Sequence, residues 1–316
     1  MNQINRSRRQ FIADLALTAA VASIATQTTS VAHAEEKSML HLASNVYPWM
    51  TFYQREGKNF DQSIDTVLGE IAAAGLDGFE PIINTPQQLE QLMTLLRKHN
   101  LQLRSFYVNS TLHTPDDAAK SIDHILTVAK AAKPFGTRLI VTNPNPIQWG
   151  GTAAKDDAML KTQAAALNEL GSKLADLGLI LSYHNHDMEL KNGAREFHHM
   201  MVGTDPKLVT LCLDSHWIYR GCGDSAVALF DVLKLYGPRI SELHLRNSVK
   251  SVWTEAFGEG DIDYPALAKY LLSIGVKPHL VLEQAVEAAS PKTMTAAEAH
   301  RQGAQYARKV FAAFAA

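Results

Sequence analysis

The sequence predicts a single (β/α)8 TIM barrel of the α/β class. Short apolar segments alternate along the chain with amphipathic segments of helical spacing, and eight such pairs can be counted. Strict alternation implies parallel strands joined by crossover helices, and eight units close into a barrel. No glycine-rich G-x-G-x-x-G turn follows the first strand, so nucleotide binding has no support. A doubly wound open sheet is the alternative architecture.

The first half of the chain contains four predicted strands. They cover residues 39–43, 76–81, 101–108 and 137–142. The first strand leads into an aromatic segment at 46–49, which we interpret as a loop. Two of the following helices have recognisable starts, because Thr85 and Thr114 can each cap a helix and each precedes a proline suited to the first helical position.

Each of the four strands predicted in the second half ends in a polar residue that can bind a metal. These strands cover residues 179–187, 209–216, 240–246 and 279–284. In (β/α)8 barrels the active site forms at the C-terminal ends of the strands, so the ends of four consecutive strands should converge on one side of the mouth. We therefore predict one divalent-metal site whose ligands are His184, Asp214, His244 and Glu283.

The donor set indicates which metals are suitable. Two imidazoles and two carboxylates suit Mn²⁺, Co²⁺, Zn²⁺ or Fe²⁺. Mg²⁺ fits less well, because it prefers a shell of oxygen ligands. The alternative for each of the four residues is a hydrogen-bonded polar group at the end of a strand, but four neighbouring strands with the same design favour a metal.

Three further polar side chains, His186, His216 and Arg246, lie two residues beyond predicted ligands. Residues two apart on a strand share a face, so we expect all three in the cavity, nearer to solvent. There they can bind substrate hydroxyls or stabilise a developing oxyanion; the alternative is a hydrogen bond that supports a loop. Glu80, at the end of the second strand, is interpreted as a carboxylate that contacts the substrate or the ligands, or as a capped strand end.

Aromatic residues follow several of the predicted strands. Four tryptophans fall in presumed loops at the mouth of the barrel: Trp49, Trp149, Trp217 and Trp253. Aromatic walls around a polar cavity are typical of sites where sugar rings stack, although such residues also serve as lids. The segment at 257–264 (F-G-E-G-D-I-D-Y) follows the seventh strand, and we interpret it mainly as a tight structural loop.

The N-terminal segment is typical of an export signal. Arg8 and Arg9 precede an apolar, alanine-rich stretch, and Ala32-His33-Ala34 forms an A-x-A cleavage signal. The arginine pair resembles a twin-arginine (Tat) signal, so we expect a leader at 1–34, a barrel at 35–316 and a periplasmic or exported protein that uses the Tat machinery. An ordinary secretory signal or a membrane anchor is the alternative.

Composition excludes several classes of partner. The full chain has a formal net charge of −2 at pH 7 and no basic run, so we expect no nucleic-acid partner. No stretch after the leader has the length of a membrane span, and we expect none after cleavage. Only two cysteines occur, and we expect free thiols in preference to a disulfide. An oligomer is possible.

These motifs resemble the xylose-isomerase-like barrels of the sugar phosphate isomerase/epimerase superfamily, and the resemblance covers most of residues 35–316. The segments that carry it are Y-H-N-H-D at 183–187, L-D-S-H at 213–216, L-H-L-R at 243–246, G-E-G-D-I-D at 258–263 and L-E at 282–283. The resemblance implies a divalent metal, often Mn²⁺, at the four predicted ligands, with His216 and Arg246 in substrate-contacting positions.

Two departures from the family pattern affect the expected chemistry. Family epimerases usually carry a proton-moving glutamate where His184 stands, and Arg246-Asn247 replaces a lysine–aspartate pair. A histidine cannot easily bind a metal and act as a base through one nitrogen. The mechanism that uses two glutamates is therefore not expected here.

We predict a metal-dependent isomerase or epimerase that acts on a keto sugar or related polyol through an enediolate. Glu283 or His186 would be the base that removes the proton. If a β-leaving group departs after the same first step, the enzyme is instead a lyase or dehydratase acting on an inosose or a 3-keto-glycoside. A non-enzymatic periplasmic sugar-binding protein is a third hypothesis.

Overall fold

The computed structural model describes residues 40–315, and the predicted leader at 1–34 lies outside the described residues. Eight parallel strands form one sheet, in the order β2-β1-β8-β7-β6-β5-β4-β3. The strands are β1 (Leu42–Asn45), β2 (Gly78–Glu80), β3 (Ser105–Tyr107), β4 (Leu139–Thr142), β5 (Ile180–His184), β6 (Val209–Asp214), β7 (Ile240–Leu245) and β8 (His279–Leu282).

The sheet closes on itself between β2 and β3. Parallel bridges join Gly78 to Gln102 and Ile82 to Tyr107, which connects the two ends of the strand order. Closure removes the exposed edges that an open sheet would present. The predicted single (β/α)8 barrel is therefore confirmed, and the doubly wound open sheet is excluded.

Ten α-helices surround the strands in the described part of the chain. They are α1 (Val46–Arg55), α2 (Ile64–Ala73), α3 (Pro86–Lys98), α4 (Pro115–Ala132), α5 (Asp157–Asp176), α6 (Lys191–Gly203), α7 (Ser215–Gly221), α8 (Ala226–Tyr236), α9 (Tyr264–Ser273) and α10 (Ala296–Val310). A short antiparallel hairpin, Ser248–Val249 with Val252–Trp253, follows β7. Among residues 40–315, none of the helices is both long and apolar enough to cross a membrane.

The helices pack on the strands through a continuous apolar core. Phe106, Ile140, Leu181 and Leu243, which lie on β3, β4, β5 and β7, are all inaccessible to solvent. Each large apolar side chain buried in this way stabilises the fold by about 1.5–3 kcal/mol relative to exposure. The strands are therefore rigid supports for the polar side chains at their C-terminal ends.

Two predicted helix starts are confirmed by their caps. The Thr85 hydroxyl accepts a hydrogen bond from the backbone N–H of Gln88 at 3.2 Å, and a proline occupies the first turn of α3. The Thr114 hydroxyl accepts one from the N–H of Asp117 at 3.4 Å, and α4 also has proline in its first turn. These caps satisfy N–H groups that lack a partner inside the helix.

The aromatic segment after β1 is a helix, so its prediction as a loop was wrong. The Asn45 side chain accepts a hydrogen bond from the backbone N–H of Tyr47 at 2.7 Å and starts α1. Val46, Trp49 and Phe52 are buried on the inner side of this helix. Apolar burial at positions three apart accounts for the helical conformation.

Strand β6 also ends earlier than predicted. The Asp214 carboxylate accepts a hydrogen bond from the backbone N–H of Trp217 at 2.9 Å and caps α7, which starts at Ser215. His216 therefore lies in the first turn of a helix and not on the strand. The alternation of faces that places residues two apart on the same side no longer applies to it.

Candidate metal and substrate site

The structure brings the four predicted ligands together at the C-terminal end of the barrel. Ligand atoms of His184, Asp214, His244 and Glu283 all lie within 4.8 Å of one another. The register of the parallel strands explains this placement, because Asp214 on β6 lies beside His244 on β7. Glu283 follows the last residue of β8, and its backbone N–H bonds to the Leu245 carbonyl at 3.0 Å. This buried cluster can bind a divalent metal.

The Asp214 carboxylate has a free coordinating atom. Its Oδ1 atom caps α7, whereas its buried Oδ2 atom has no hydrogen-bond partner. Burial raises the pKa of Asp214 to about 7, while the charge of Arg246 opposes this rise. A buried carboxylate oxygen without a hydrogen bond is costly, and the cationic Arg246 lies near it, with its Nη2 atom 3.5 Å away; a bound metal would reduce this cost. The donor set of the cluster therefore fits a divalent metal.

Arg246 lies directly against two of the predicted ligands. Its Nη2 atom is 2.8 Å from Glu283 Oε2 and 3.5 Å from Asp214 Oδ2, and its Nε–H donates to the Glu283 carbonyl at 2.9 Å. Although burial opposes ionisation, the charges of Arg246 and His244 hold the pKa of Glu283 well below its usual range. The buried Nη1 atom of Arg246 has no hydrogen-bond partner.

The Arg246 guanidinium is held in place by aromatic rings. It lies 4.5 Å from the centre of the Trp253 ring and 5.0 Å from that of Trp217. Stacking on aromatic faces suits a planar guanidinium and restricts its movement. The Nη1 group is thus fixed, without a hydrogen-bond partner, beside the cavity that Arg246 lines.

A second layer of buried carboxylates lies beneath His244. Its Nδ1 atom is 3.0 Å from Glu283 Oε2, whereas its Nε2 atom is 3.1 Å from Glu80 Oε1 and 3.3 Å from Glu242 Oε1. Glu80 thus supports a ligand and is not among the residues that line the cavity. Glu242 was not selected from the sequence, although it lies two residues before His244 on the same face of β7. That spacing was the available signal.

Glu80 is held by neutral donors as well as by His244. It accepts hydrogen bonds from Asn45 Nδ2 at 2.6 Å and from Ser105 Oγ at 2.8 Å. Burial raises the pKa of Glu80 to about 7, and the nearby Glu242 charge adds to the rise. Cys212 also lies in this layer as a free thiol, with Sγ 3.5 Å from His184 Nδ1.

A cavity of about 380 Å³ opens above the cluster. Polar atoms converge at its base, where His184, His186, Arg246 and Glu283 are exposed to it. The remaining lining residues are Asn45, Tyr47, Ile82, Tyr107, Asn109, Trp149, Asp187 and Trp217. A small number of polar groups within aromatic walls is the usual arrangement of a small-ligand site.

His186 is a half-buried residue that lines the cavity and has one buried, unpaired ring nitrogen. Its Nδ1 atom has no hydrogen-bond partner. The ring lies 5.1 Å from the Trp149 ring and 4.7 Å from the His184 ring, measured between centroids. Burial lowers the pKa of His186 to about 4, so the imidazole is neutral at physiological pH.

His216 is not among the residues that line this cavity. Its buried Nε2 atom lies 3.0 Å from Ser248 Oγ, and its ring packs near Trp253 with centroids 6.1 Å apart. The structure therefore places His216 behind the aromatic wall, as a support for the hairpin that follows β7. Burial lowers its pKa to about 2, which keeps the ring neutral.

Only two of the four tryptophans line the cavity in the described structure, Trp149 and Trp217. Trp49 lies inside α1 and stacks on His300, with ring centroids 4.1 Å apart. Trp253 lies in the hairpin after β7 and packs against Trp217 and Arg246. The predicted loop position therefore holds for Trp149, whereas the other three belong to regular elements.

The segment at 257–264 is mainly structural, as interpreted from the sequence. The Asn247 side-chain amide donates to the carbonyls of Gly258 and Ile262 at 2.9 and 3.1 Å and so fixes the loop to the end of β7. A Cβ atom at Gly260 would lie 2.2 Å from the Ser248 carbonyl oxygen, so only glycine fits. The loop therefore holds the wall that carries Trp253.

Comparisons with known proteins agree with this architecture. A family model described as xylose isomerase-like TIM barrel matches residues 68–310. The inosose dehydratase of Clostridium perfringens (strain 13 / Type A) is 26% identical over 255 residues, which cover 71% of this chain and 82% of that protein.

Two solved structures share the fold. A sugar phosphate isomerase/epimerase from Parabacteroides distasonis superposes with a TM-score of 0.68 at 18% identity, covering 92% of this chain and 99% of that one. A xylose isomerase-like TIM barrel protein from Mycobacterium smegmatis, solved in complex with magnesium, superposes with a TM-score of 0.65 at 14% identity and covers 89% and 99%.

Proposed function

The chain belongs to the xylose isomerase-like TIM barrel family, and from this premise we propose that it is a metal-dependent isomerase or epimerase of a keto sugar or related polyol. The observation that carries the proposal is the buried cluster of two histidines and two carboxylates beneath a cavity with aromatic walls. Rings of this kind suit the apolar faces of a sugar, and the polar base suits its oxygens.

The cluster of His184, Asp214, His244 and Glu283 would hold the metal. When bound there, a divalent metal would supply Lewis-acid stabilisation of negative charge on the substrate carbonyl and the neighbouring hydroxyl. We propose Mn²⁺, because a mixed set of imidazole and carboxylate donors suits it better than Mg²⁺. Reconstitution of the metal-free protein with Mn²⁺, Co²⁺, Zn²⁺, Fe²⁺ or Mg²⁺ would show which metal the site prefers.

His186 is the better of the two proposed bases. The His186 ring lines the cavity, and its pKa of about 4, which makes it a weak base, still leaves it unprotonated at neutral pH. Glu283, in contrast, is paired with Arg246 and His244, and both charges keep its pKa low. A carboxylate whose charge is already stabilised in this way has little tendency to take a proton. We therefore assign removal of the substrate C–H proton to His186.

Arg246 would stabilise the enediolate that this proton removal creates. Its Nη1 group is buried, lacks a partner and is fixed by the rings of Trp217 and Trp253. A donor of fixed charge held at the cavity wall needs no rearrangement when an oxyanion develops. Return of the proton from His186 to the neighbouring carbon would give an isomer, whereas an epimer would require a second proton donor on the opposite face of the enediolate.

A lyase is the second candidate, and the relationship to inosose dehydratases of 26% identity favours it. Proton removal by His186 beside a carbonyl is also the first step of β-elimination. In that case a β-hydroxyl or an alkoxide leaves, and the carbon–carbon double bond remains in the product. The same residues serve both reactions, so the product decides between them.

Proton exchange with solvent tests the proposal. Purified residues 35–316, loaded with Mn²⁺, would be incubated in D₂O with a panel of ketohexoses, ketopentoses, a keto-inositol and a 3-keto-glycoside, and followed by ¹H NMR. An isomerase or epimerase exchanges the proton and forms a rearranged sugar, whereas a lyase produces vinylic signals. Binding of sugars with no exchange across the panel would contradict enzymatic activity and support a binding protein.

We further propose that the chain is exported through the twin-arginine route. Support comes from the Arg8-Arg9 pair and from the A-x-A signal at 32–34. Replacement of both arginines by lysine should keep the protein in the cytoplasm in unprocessed form. Fractionation and the N-terminal sequence of the secreted form measure this, and unchanged export of the double variant would contradict a twin-arginine signal.

A further inference from the structure

A second cavity lies beside the candidate active site. Its volume is about 610 Å³, which exceeds the 380 Å³ of the cavity above the cluster. It is formed by α1, the turn at Asp61–Ser63, the segment after β2, and α3. We call it the side groove. Cavities of this size hold small organic ligands.

The lining of the side groove is mainly apolar. Its apolar residues are Val46, Met50, Phe60, Ile64, Phe79, Pro81, Ile82, Ile83, Leu92 and Leu95. The polar ones are Asp61, Asn84, Gln88, Gln91 and Asn109, and no lysine or arginine is among these lining residues. A phosphate or carboxylate would find no positive charge here, so the lining selects an uncharged, apolar ligand.

Two apolar side chains in the groove are exposed to solvent. Met50 on α1 is 41% accessible and Ile82 after β2 is 39% accessible. Adjacent exposed apolar surface within a concave site is typical of a place where a ligand is bound. The barrel itself does not cover either side chain.

The side groove and the catalytic cavity share part of their walls. Ile82 and Asn109 line both. The main chain beside Ile82 is rigid, because Ile83 N–H donates to the Tyr107 carbonyl at 3.0 Å across the β2–β3 closure. On α1, Tyr47 faces the catalytic cavity, while Met50, one turn later, faces the groove. A ligand bound in the cavity above the cluster therefore lies next to the side groove.

From this arrangement, and resting on the proposed sugar chemistry, we infer that the side groove binds an uncharged apolar substituent carried by the sugar. The substrate is then a keto-glycoside, with the reacting carbonyl on its ring and an aromatic or hydrocarbon aglycone at its anomeric carbon, and not a free monosaccharide. The sugar occupies the catalytic cavity and its substituent passes Ile82 into the groove. The cavity above the cluster has room for the reacting sugar ring, and the side groove has room for the rest of the substrate.

Binding of two simple glycosides tests this inference without requiring turnover. Methyl and phenyl β-D-glucopyranoside would be titrated into Mn²⁺-loaded protein by calorimetry. We expect the phenyl glycoside to bind at least ten-fold more tightly. Met50→Glu places a charge in the groove and leaves the catalytic cavity intact. In this variant the preference for the phenyl over the methyl glycoside should fall at least five-fold, while the affinity for the methyl glycoside should not change.

Val202→Glu is the matched control, because Val202 is an exposed apolar residue, 76% accessible, on α6 and lines neither cavity.

Equal binding of the two glycosides, binding of neither, or a phenyl preference that survives in Met50→Glu would overturn the inference. So would a wild-type oligomer that Met50→Glu dissociates in sedimentation, because a second copy would then occupy the groove. A phenyl preference sensitive to Met50→Glu, without deuterium exchange in any sugar, would reject the proposed reaction and retain the groove.

Discussion

The Nε2 atom of His244 lies 3.1 Å from Oε1 of Glu80, on the opposite side of the ring from Glu283, which faces Nδ1 at 3.0 Å. A histidine must be neutral to bind a metal, and in neutral His244 a proton on Nε2 directed at the buried carboxylate would leave Nδ1 as the nitrogen with a free lone pair. Histidine ligands commonly donate their second N–H to a carboxylate, which fixes the tautomer and the ring orientation. We therefore predict that Glu80 orients His244 for metal binding.

Replacement of Glu80 by glutamine should weaken metal binding. Loss of the carboxylate beneath a histidine ligand typically lowers metal affinity about 10- to 100-fold. Competition with a fluorescent chelator measures the affinity, and thermal unfolding checks that the barrel still forms. Glu90→Gln on the exposed side of α3 is the control. Unchanged affinity in Glu80→Gln would show that His244 does not depend on this carboxylate.

Substitutions in the cluster should separate ligands from substrate-contacting residues. Asp214→Ala and Glu283→Ala each remove a donor, so we expect both to lose the metal that we predict in the wild-type chain. Arg246→Ala should retain it, because removal of a positive charge beside two carboxylates favours a bound cation. Elemental analysis of the purified variants measures this. Full metal in both carboxylate variants would contradict the four-residue site, and metal loss in Arg246→Ala would mean that its role is structural.

Removal of the base at His186 should impair proton exchange and leave the metal in place. We expect His186→Gln to slow deuterium incorporation by about 10²- to 10⁴-fold, the usual contribution of a general base. Metal content serves as the internal control, because His186 is not in the cluster. Exchange at the wild-type rate in a fully loaded variant would exclude His186 and return the role to Glu283.

The strands that carry the cluster could be predicted because their signal is local. Apolar residues of strand length, followed by His184 or His244, reveal both the element and its end. Glu242 was not predicted as a site residue because it lies inside such a strand, where the neighbouring sequence does not show what a charged side chain would contact. Its partners His279 and Glu80 are distant in sequence, and His279 Nδ1 reaches it at 2.8 Å only once β7 and β8 pair.

The first helix and the position of His216 illustrate a different limit. Tyr47-Pro48-Trp49 has the composition of a loop, and α1 forms because Asn45 caps it and Trp49 finds a buried site against His300. His216 leaves the strand because the Asp214 carboxylate caps a helix. From the sequence, Asp214 is interpreted only as a metal ligand, so its role as a helix cap is not predicted. The side groove depends on surfaces from elements that lie far apart in sequence, so no single motif indicated it.

His300 should make the stability of the barrel depend on pH in a way that can be isolated. It is buried in α10, stacks on Trp49 and contacts the Ala296 carbonyl through Nδ1 at 2.7 Å, while Nε2 has no partner. Burial lowers its pKa to about 4. In the unfolded chain a histidine takes up a proton near pH 6.5. The unfolded state therefore binds more protons between these values, and folding stability falls as the pH drops through that window.

In His300→Phe the ring can still stack on Trp49, but nothing titrates at this position. The stability of the wild type relative to this variant should decrease by about 2 kcal/mol between pH 7 and pH 4.5, since one proton changes the unfolding free energy by about 1.4 kcal/mol per pH unit. Urea denaturation at several pH values measures both proteins. Burial also lowers the pKa of His41 to about 3 and that of His216 to about 2. Both histidines change the stability of the wild type and of the variant equally, so their effect cancels in the difference between the two proteins. A difference that does not vary with pH would show that His300 is protonated in the folded barrel or accessible to water.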